Sequence, residues 1–426
     1  MREGRVKNPI VRLDYIVLII IVMNLIAMFH YGNMTNNILT GNLDHSLGFL
    51  KHIRLIVQLS SIMLLLGLII KYGIKIEGLK ALKWYIVFFI SALLSWLVNM
   101  APIKSLYFTS SLILGILIGL VHYSSLVTNK NLAYRSFYNS FIVIFSMYIF
   151  SALFTLVFDY YGAFQFGRLQ ATFVTIGSNG LSWLSFLYIL FIQAKGFEQT
   201  LRNKIAHMLM TIASIYIIIA TQTRTTWFVI GALYMARLFV IKGKYKHLEI
   251  ALFAIFLGVI VYSGSIDSIV NIMTRGGQQI ETLSGRLDVW LAAYDSFIQS
   301  PVLGYGLWNG MQISMQSISD YDNSVNTQAH GSIIELLVSV GIIGFGFWVL
   351  FIAKINLNLL KLFKKRGCMN SVDRRMVILL STVMIAEDMK LLISSEFVFF
   401  DYSTVLIIMI ATTTHYIKKQ YMQNNN

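Results

Sequence analysis

Twelve mostly apolar stretches follow one another along the chain, near 15–31, 53–70, 84–100, 106–127, 137–158, 180–194, 205–221, 226–241, 248–264, 331–352, 375–392 and 402–417. Each approaches the roughly 20 residues a helix needs to cross the apolar slab of a bilayer. A surface helix of a soluble protein sets one apolar stripe against a polar face. These runs have no such face. The repetition therefore predicts an all-α, polytopic membrane protein with about twelve transmembrane helices, formed as a single polytopic domain over residues 1–426.

Composition closes the other routes. Only 12% of the residues are charged and 57% are hydrophobic, against about 25% charged in soluble domains. Such a chain cannot cover itself with a solvated shell, and disorder would need low hydrophobicity. Three Pro, 29 Gly and the single Cys368 exclude collagen-like and disulfide-rich classes. The net charge of +15 arises from cations scattered between apolar runs, not gathered in one basic domain, so nucleic acid is not the expected partner. The first run follows a basic N-terminus and lacks a small-residue cleavage site, which predicts a retained span. No internal repeat is visible, which disfavours a transporter built from duplicated halves.

The connections divide the charge unevenly. Of 34 Lys and Arg, one side holds only Lys51, Arg54, Lys104, Arg168, Arg224, Arg275, Arg286 and Lys390. Cations are retained in the cytoplasm, so both termini are expected there, and residues 265–330 are expected outside. Within that long loop, Leu287, Trp290, Leu291, Tyr294 and Ile298 share one helical face. This predicts a helix lying in the outer interface, ended by Pro301 and Gly304-Tyr305-Gly306.

The external cations are the chemical candidates. Arg224 sits in the polar hexamer Thr221–Thr226 between two apolar runs. Its guanidinium either anchors at headgroups by snorkelling or presents its donor fork to phosphate oxygens. Arg286 opens the interfacial helix, where the helix dipole disfavours a cation without a partner; a solvated first-turn residue is the alternative. His330 starts the tenth run. Helix-start N–H groups would keep its imidazole neutral and able to accept a proton, while a structural histidine is the other reading. Gly341 and Gly344 follow at helical spacing and would admit a close neighbouring helix. Glu335, inside the same run, should face protein or water. Asp320-Tyr321-Asp322 is a weak divalent-cation candidate. Glu387, Asp388, Glu396 and Asp401 are expected to form a solvated rim that would at most meet sugar hydroxyls. No GxxxxGK[ST], HExxH or GxSxG pattern occurs.

Four segments, in order, resemble the O-antigen ligase and polymerase superfamily, which includes the Wzy capsular and exopolysaccharide polymerases. They are Arg168-Leu169 with Thr172-Phe173 and Asn179, then Thr223-Arg224-Thr225. Gly285-Arg286 with Trp290 and Pro301–Gly306 is the third, and His330 through Gly341 and Gly344 the fourth. Ala171 stands where the family usually has Gly, and Gly331 where it has Asn, Ser or Gln. The resemblance implies a GT-C-like, metal-independent, inverting glycosyltransferase without a cofactor, in the bacterial cytoplasmic membrane. Its donor would be an undecaprenyl-diphosphate-linked glycan. Arg224 and Arg286, with Arg168 as a third, would hold the diphosphate, and His330 would be the general base. Asn179, Trp290, Tyr305 and Glu335 join the expected substrate-binding residues. The expected partners are the donor, a glycan acceptor, membrane lipid, a chain-length regulator and a flippase. The favoured reaction is polymerisation onto another lipid-linked repeat unit. Ligation to lipid A core is the alternative, and transport of lipid-linked oligosaccharide a more distant one.

Overall fold

Every apolar run inside the described residues lies on a helix. The structure, a computed structural model, describes residues 44–73, 75–101, 103–165, 168–171, 176–195, 201–240, 286–307, 309–316, 332–393 and 402–422. The runs at 15–31 and 248–264 lie outside them. In chain order the helices of eight or more residues are α1 (Asp44–Tyr72), α2 (Ile76–Val98), α3 (Ile103–Thr128), α4 (Lys130–Phe158), α5 (Ser178–Lys195) and α6 (Leu201–Ala220). They continue with α7 (Arg224–Val240), α8 (Arg286–Gln299), α9 (Asn309–Gln316), α10 (Ser332–Lys364), α11 (Ser371–Ile393) and α12 (Tyr402–Met422). A two-residue hairpin pairs β1 (Phe164–Gln165) antiparallel with β2 (Arg168–Leu169), Phe164 opposite Leu169. It is a small departure from an otherwise all-α, polytopic membrane protein.

The helices are apolar on their outer faces. On α6, Ile205, Met208, Ile212, Ile215 and Ile219 form an exposed stripe, while Ser214 is buried. In water that arrangement would be inverted; in lipid it costs nothing. Among the described residues, five stretches are long and apolar enough to cross a membrane: Glu77–Val98, Ser111–Thr128, Lys130–Phe158, Asn203–Ala220 and Ile333–Lys364. Helix α12 occupies the centre, buried all round from Tyr402 to Thr414. Several interior hydroxyls are satisfied within their own helices. Ser140, Thr155, Ser185, Ser214 and Thr412 each donate to the carbonyl four residues back.

One end of the bundle is tied by a single carboxylate. Asp373, fully buried at the start of α11, accepts from Lys130 Nζ at 2.9 Å, Tyr134 at 3.0 Å, Tyr421 at 2.8 Å and Asn370 Nδ2 at 2.7 Å. It thereby joins α4, α11 and α12. Burial, and then the bond to Asp373, hold the Tyr421 hydroxyl above its usual pKa range, so it remains a donor. Asp373→Ala would strand an ammonium and two phenols, an expected cost of about 3 kcal/mol. A clear fall in the apparent unfolding temperature in detergent is the expected result; a change under about 0.5 kcal/mol would show that this carboxylate is not the tie.

Helix α10 is broken. Gly341 has φ 63° and ψ −174°, far from helical values. A continuous helix would bond Ile342 N to Val338 O and Ile343 N to Ser339 O. Instead Ile342 N donates to Pro301 O at 2.9 Å and Ile343 N to Val302 O at 3.4 Å. The two vacated carbonyls are taken by the same loop: Tyr305 N donates to Val338 O at 3.0 Å and Gly306 N to Ser339 O at 2.8 Å. Loop 301–306 is thus spliced into the helix, and the break leaves these amides and carbonyls paired, as an apolar slab requires. The contact needs bare backbone. A Cβ on Gly341 would lie 2.2 Å from Val302 O, and one on Gly304 (φ 63°) 2.6 Å from Gly341 N. Gly344 does admit a neighbouring helix, since a Cβ there would come 3.0 Å from Ser91 Oγ of α2. Gly341 serves the splice instead.

Candidate active site

The hairpin aims one arginine at the turn that carries another. Arg168, in β2, donates from Nε to Thr221 O at 2.9 Å, and from Nη2 to Asn179 Oδ1 at 2.8 Å and Thr223 Oγ1 at 3.3 Å. The Thr223 hydroxyl donates to Ser178 O at 3.2 Å. A threonine just before a helix ordinarily caps it; here its hydroxyl is engaged between Arg168 and α5. The turn is tight, with Gln222 at φ 48°, and Thr221, Thr223 and Thr226 are buried. Trp227 Nε1 donates back to Ile218 O at 3.1 Å, closing α7 onto α6.

Arg224 is the first residue of α7 and is half-buried. The first amides of a helix and the positive end of its dipole already favour an anion; a guanidinium placed there adds a charged fork. Arg168 and Asn179 thus meet, and Arg168 reaches the turn that precedes Arg224, a division of labour that the spacing did not reveal. Two of the three guanidinium nitrogens of Arg168 hold the turn.

A second group gathers around the splice. Helix α8 begins at Arg286, and its Val289 and Ala293 pack against Val338 of α10, with Trp290, Phe297, Tyr305 and Ile334 around them. Trp290 and Tyr305 thus share one apolar cluster. Leu291, Tyr294 and Ile298, on the face expected to meet the interface, are exposed together with Val302. Glu335 is buried in the first turn of α10, inside protein. The Arg286 side chain and the whole of His330 lie outside the described residues, as do Glu396, Asp401 and the Asp320–Asp322 triplet.

The solvated rim expected at Glu387 and Asp388 is corrected by the structure. Glu387 is fully buried and accepts from Trp183 Nε1 at 2.9 Å, while Asp388 accepts from Asn356 Nδ2 at 2.7 Å. Lys390, also buried, donates to the Tyr402 hydroxyl at 3.2 Å and lies 5.0 Å from the centre of the Trp183 ring. The helix periodicity that carries the acids inward is the same one that buries Val383, Met384 and Ala386. Trp183 stands one turn beyond Asn179 on α5, so this polar cluster and the Arg168 brace share a helix.

Sequence reasoning passed over Thr221 and Thr223 as ligands of Arg168, and over Ser95 of α2 and Asn99 just after it. Asn99 donates to Gly304 O at 2.7 Å and Ser95 to Ser339 O at 3.1 Å. A signal was present: Ser91, Ser95 and Asn99 recur every fourth residue in an otherwise apolar span.

A family model described as O-antigen ligase matches residues 209–349. No curated protein matches the chain. The match supports the O-antigen ligase/polymerase superfamily and a glycan-transferring function of that type. The matched segment holds Arg224, α8, the spliced loop and the broken half of α10. Arg168 and Asn179 precede it in sequence, yet Arg168, bonded to Asn179, also donates to Thr221 and Thr223 within it.

Proposed function

With that match as premise, we propose that the protein is a polysaccharide polymerase. It transfers a glycan from undecaprenyl diphosphate to a hydroxyl of another lipid-linked repeat unit at the outer face of the bacterial cytoplasmic membrane, with both termini in the cytoplasm. The observation that carries the reading is the braced turn, which holds Arg224 at the start of α7 by bonds from Arg168 to Thr221 and Thr223. A pre-set guanidinium at a helix start suits the charge that grows on a departing diphosphate.

In this mechanism the acceptor oxygen attacks the anomeric carbon as the bond from that carbon to the diphosphate oxygen breaks. The configuration inverts. Arg224 and Arg286 hold the diphosphate, and Arg168 keeps Arg224 in place. His330 takes the acceptor proton. Asn179, Trp290, Tyr305 and Glu335 shape the surroundings of the sugars. The free energy comes from the glycosyl diphosphate, so the reaction requires no nucleotide, and the resemblance implies that it proceeds without a metal ion. A flippase supplies the donor, and a regulator of chain length limits the product.

Ligation to lipid A core uses the same groups with a different acceptor. Gly331, in place of the usual polar residue after the histidine, favours polymerisation. The test supplies purified protein in vesicles with lipid-linked glycan extracted from cells lacking it. A ladder of products supports polymerisation, and transfer only to added lipid A core supports ligation. His330→Ala and Arg286→Ala are expected to abolish product while the proteins remain folded; activity in both would overturn these roles.

A further inference from the structure

We infer that Asn99 is a positioning residue: it clasps the splice in α10, and so sets the half-helix that follows His330 against the helix that opens with Arg286. The inference rests on the proposed roles of those two residues. Asn99 follows the last turn of α2 and is half-buried. Its side-chain amide has two protons, and both are placed. One goes to Gly304 O of the loop at 2.7 Å and the other to Ser95 O of its own helix at 2.8 Å. One turn back, the Ser95 hydroxyl donates to Ser339 O at 3.1 Å, in the half-helix itself. Another turn back, Ser91 lies against Gly344, beyond the break. A single polar stripe on α2 therefore touches the loop, the half-helix before Gly341 and the helix after it.

The splice needs such a clasp. Its four bonds join backbone to backbone across Gly341 and Gly304, and both glycines lack the side chains that would fix their dihedrals. Bonds of that kind survive small rotations of one segment on the other. Asn99 and Ser95 remove this freedom by tying Gly304 and Ser339 to one rigid helix. The loop continues directly back into α8, whose Val289 and Ala293 pack on Val338. The loop joins the C-terminal end of α8, so a shift at Gly304 moves that helix, and Arg286 at its far end, relative to the start of α10 near which His330 is proposed to act. Displacements of about 1 Å at a reacting centre cost about a hundredfold in rate.

The test uses Asn99→Asp, which keeps the shape and removes the donor to Gly304, with Asn99→Ala and Ser95→Ala beside it. Each variant is assayed in vesicles with the extracted lipid-linked glycan, and its unfolding temperature is measured in the same detergent. The expected result is a fall in kcat of about tenfold to a hundredfold, with KM for the donor within about threefold and with folding retained. A misplaced base also shifts the pH profile of kcat, which a loss of folded protein does not. If the Asn99 variants do not fold, Ser95→Ala carries the same expectation. Wild-type kcat in Asn99→Asp, or a loss confined to KM, overturns the inference. His330→Ala separates the two levels. An active His330→Ala protein overturns the catalytic reading and this inference with it. An inactive one beside a wild-type Asn99→Asp protein overturns the inference alone.

Discussion

Arg168→Lys is expected to lose about as much activity as Arg168→Ala, roughly a hundredfold or more, although the charge is kept. The reason is geometric. Arg168 meets Thr221 O through Nε, and Asn179 and Thr223 through Nη2, from two edges of one rigid plane. A lysine has one nitrogen at the end of a flexible stem and cannot reach the three partners together. The 221–223 turn would relax, and Arg224 would leave its place at the head of α7. The opposite ranking is expected at Arg224, where the proposed role is charge facing a diphosphate. There Lys should retain measurably more turnover than Ala. Steady-state rates of the four variants decide the matter. An Arg168→Lys protein near wild-type would show that the guanidinium plane is not what holds the turn.

The second large effect is expected from Gly341→Ala. The new methyl would sit 2.2 Å from Val302 O, and the residue would be held at a positive φ, which alone costs about 1–2 kcal/mol. The segment has an easy escape, because alanine favours a helix over glycine by about 1 kcal/mol. A straightened α10 would return Ile342 N to Val338 O and Ile343 N to Ser339 O, and would expel loop 301–306. Product formation should fall by more than about a hundredfold, and protease should cut between residues 300 and 307 faster than in the wild-type protein. A variant with normal turnover and a loop cut no faster than in the wild-type protein would mean that the break is incidental to activity.

These two expectations show how unevenly the molecule could be read. The helices α2, α3, α4, α6 and α10 were legible as apolar runs, because transfer from water to lipid is nearly additive along a chain. Helix α8 was legible from a 3- and 4-residue spacing, and the tight turn at Arg224 from the polar hexamer between two runs. Arg168 and Asn179 were visible as a motif and do meet, 2.8 Å apart. Their partners in the 221–223 turn were not visible. Glu387 was misread because acidity near a helix end suggests solvent, whereas the indole N–H of Trp183, distant in sequence, buries it.

The amino-acid sequence by itself determined the helical membrane class and the places where polar chemistry interrupts it. Those follow from local properties: hydropathy summed over a span, and charges sorted by the cost of entering lipid. The tertiary structure decided how the interruptions are used. Arg168 became a brace because the chain returns 53 residues later. Gly341 became a break, not a site for helix packing, because loop 301–306 supplies the four bonds that a continuous helix would have made internally. Asn99 became a clasp across 205 residues. A hydrogen bond between distant residues depends on a separation of about 3 Å, and no local property of the chain encodes that separation.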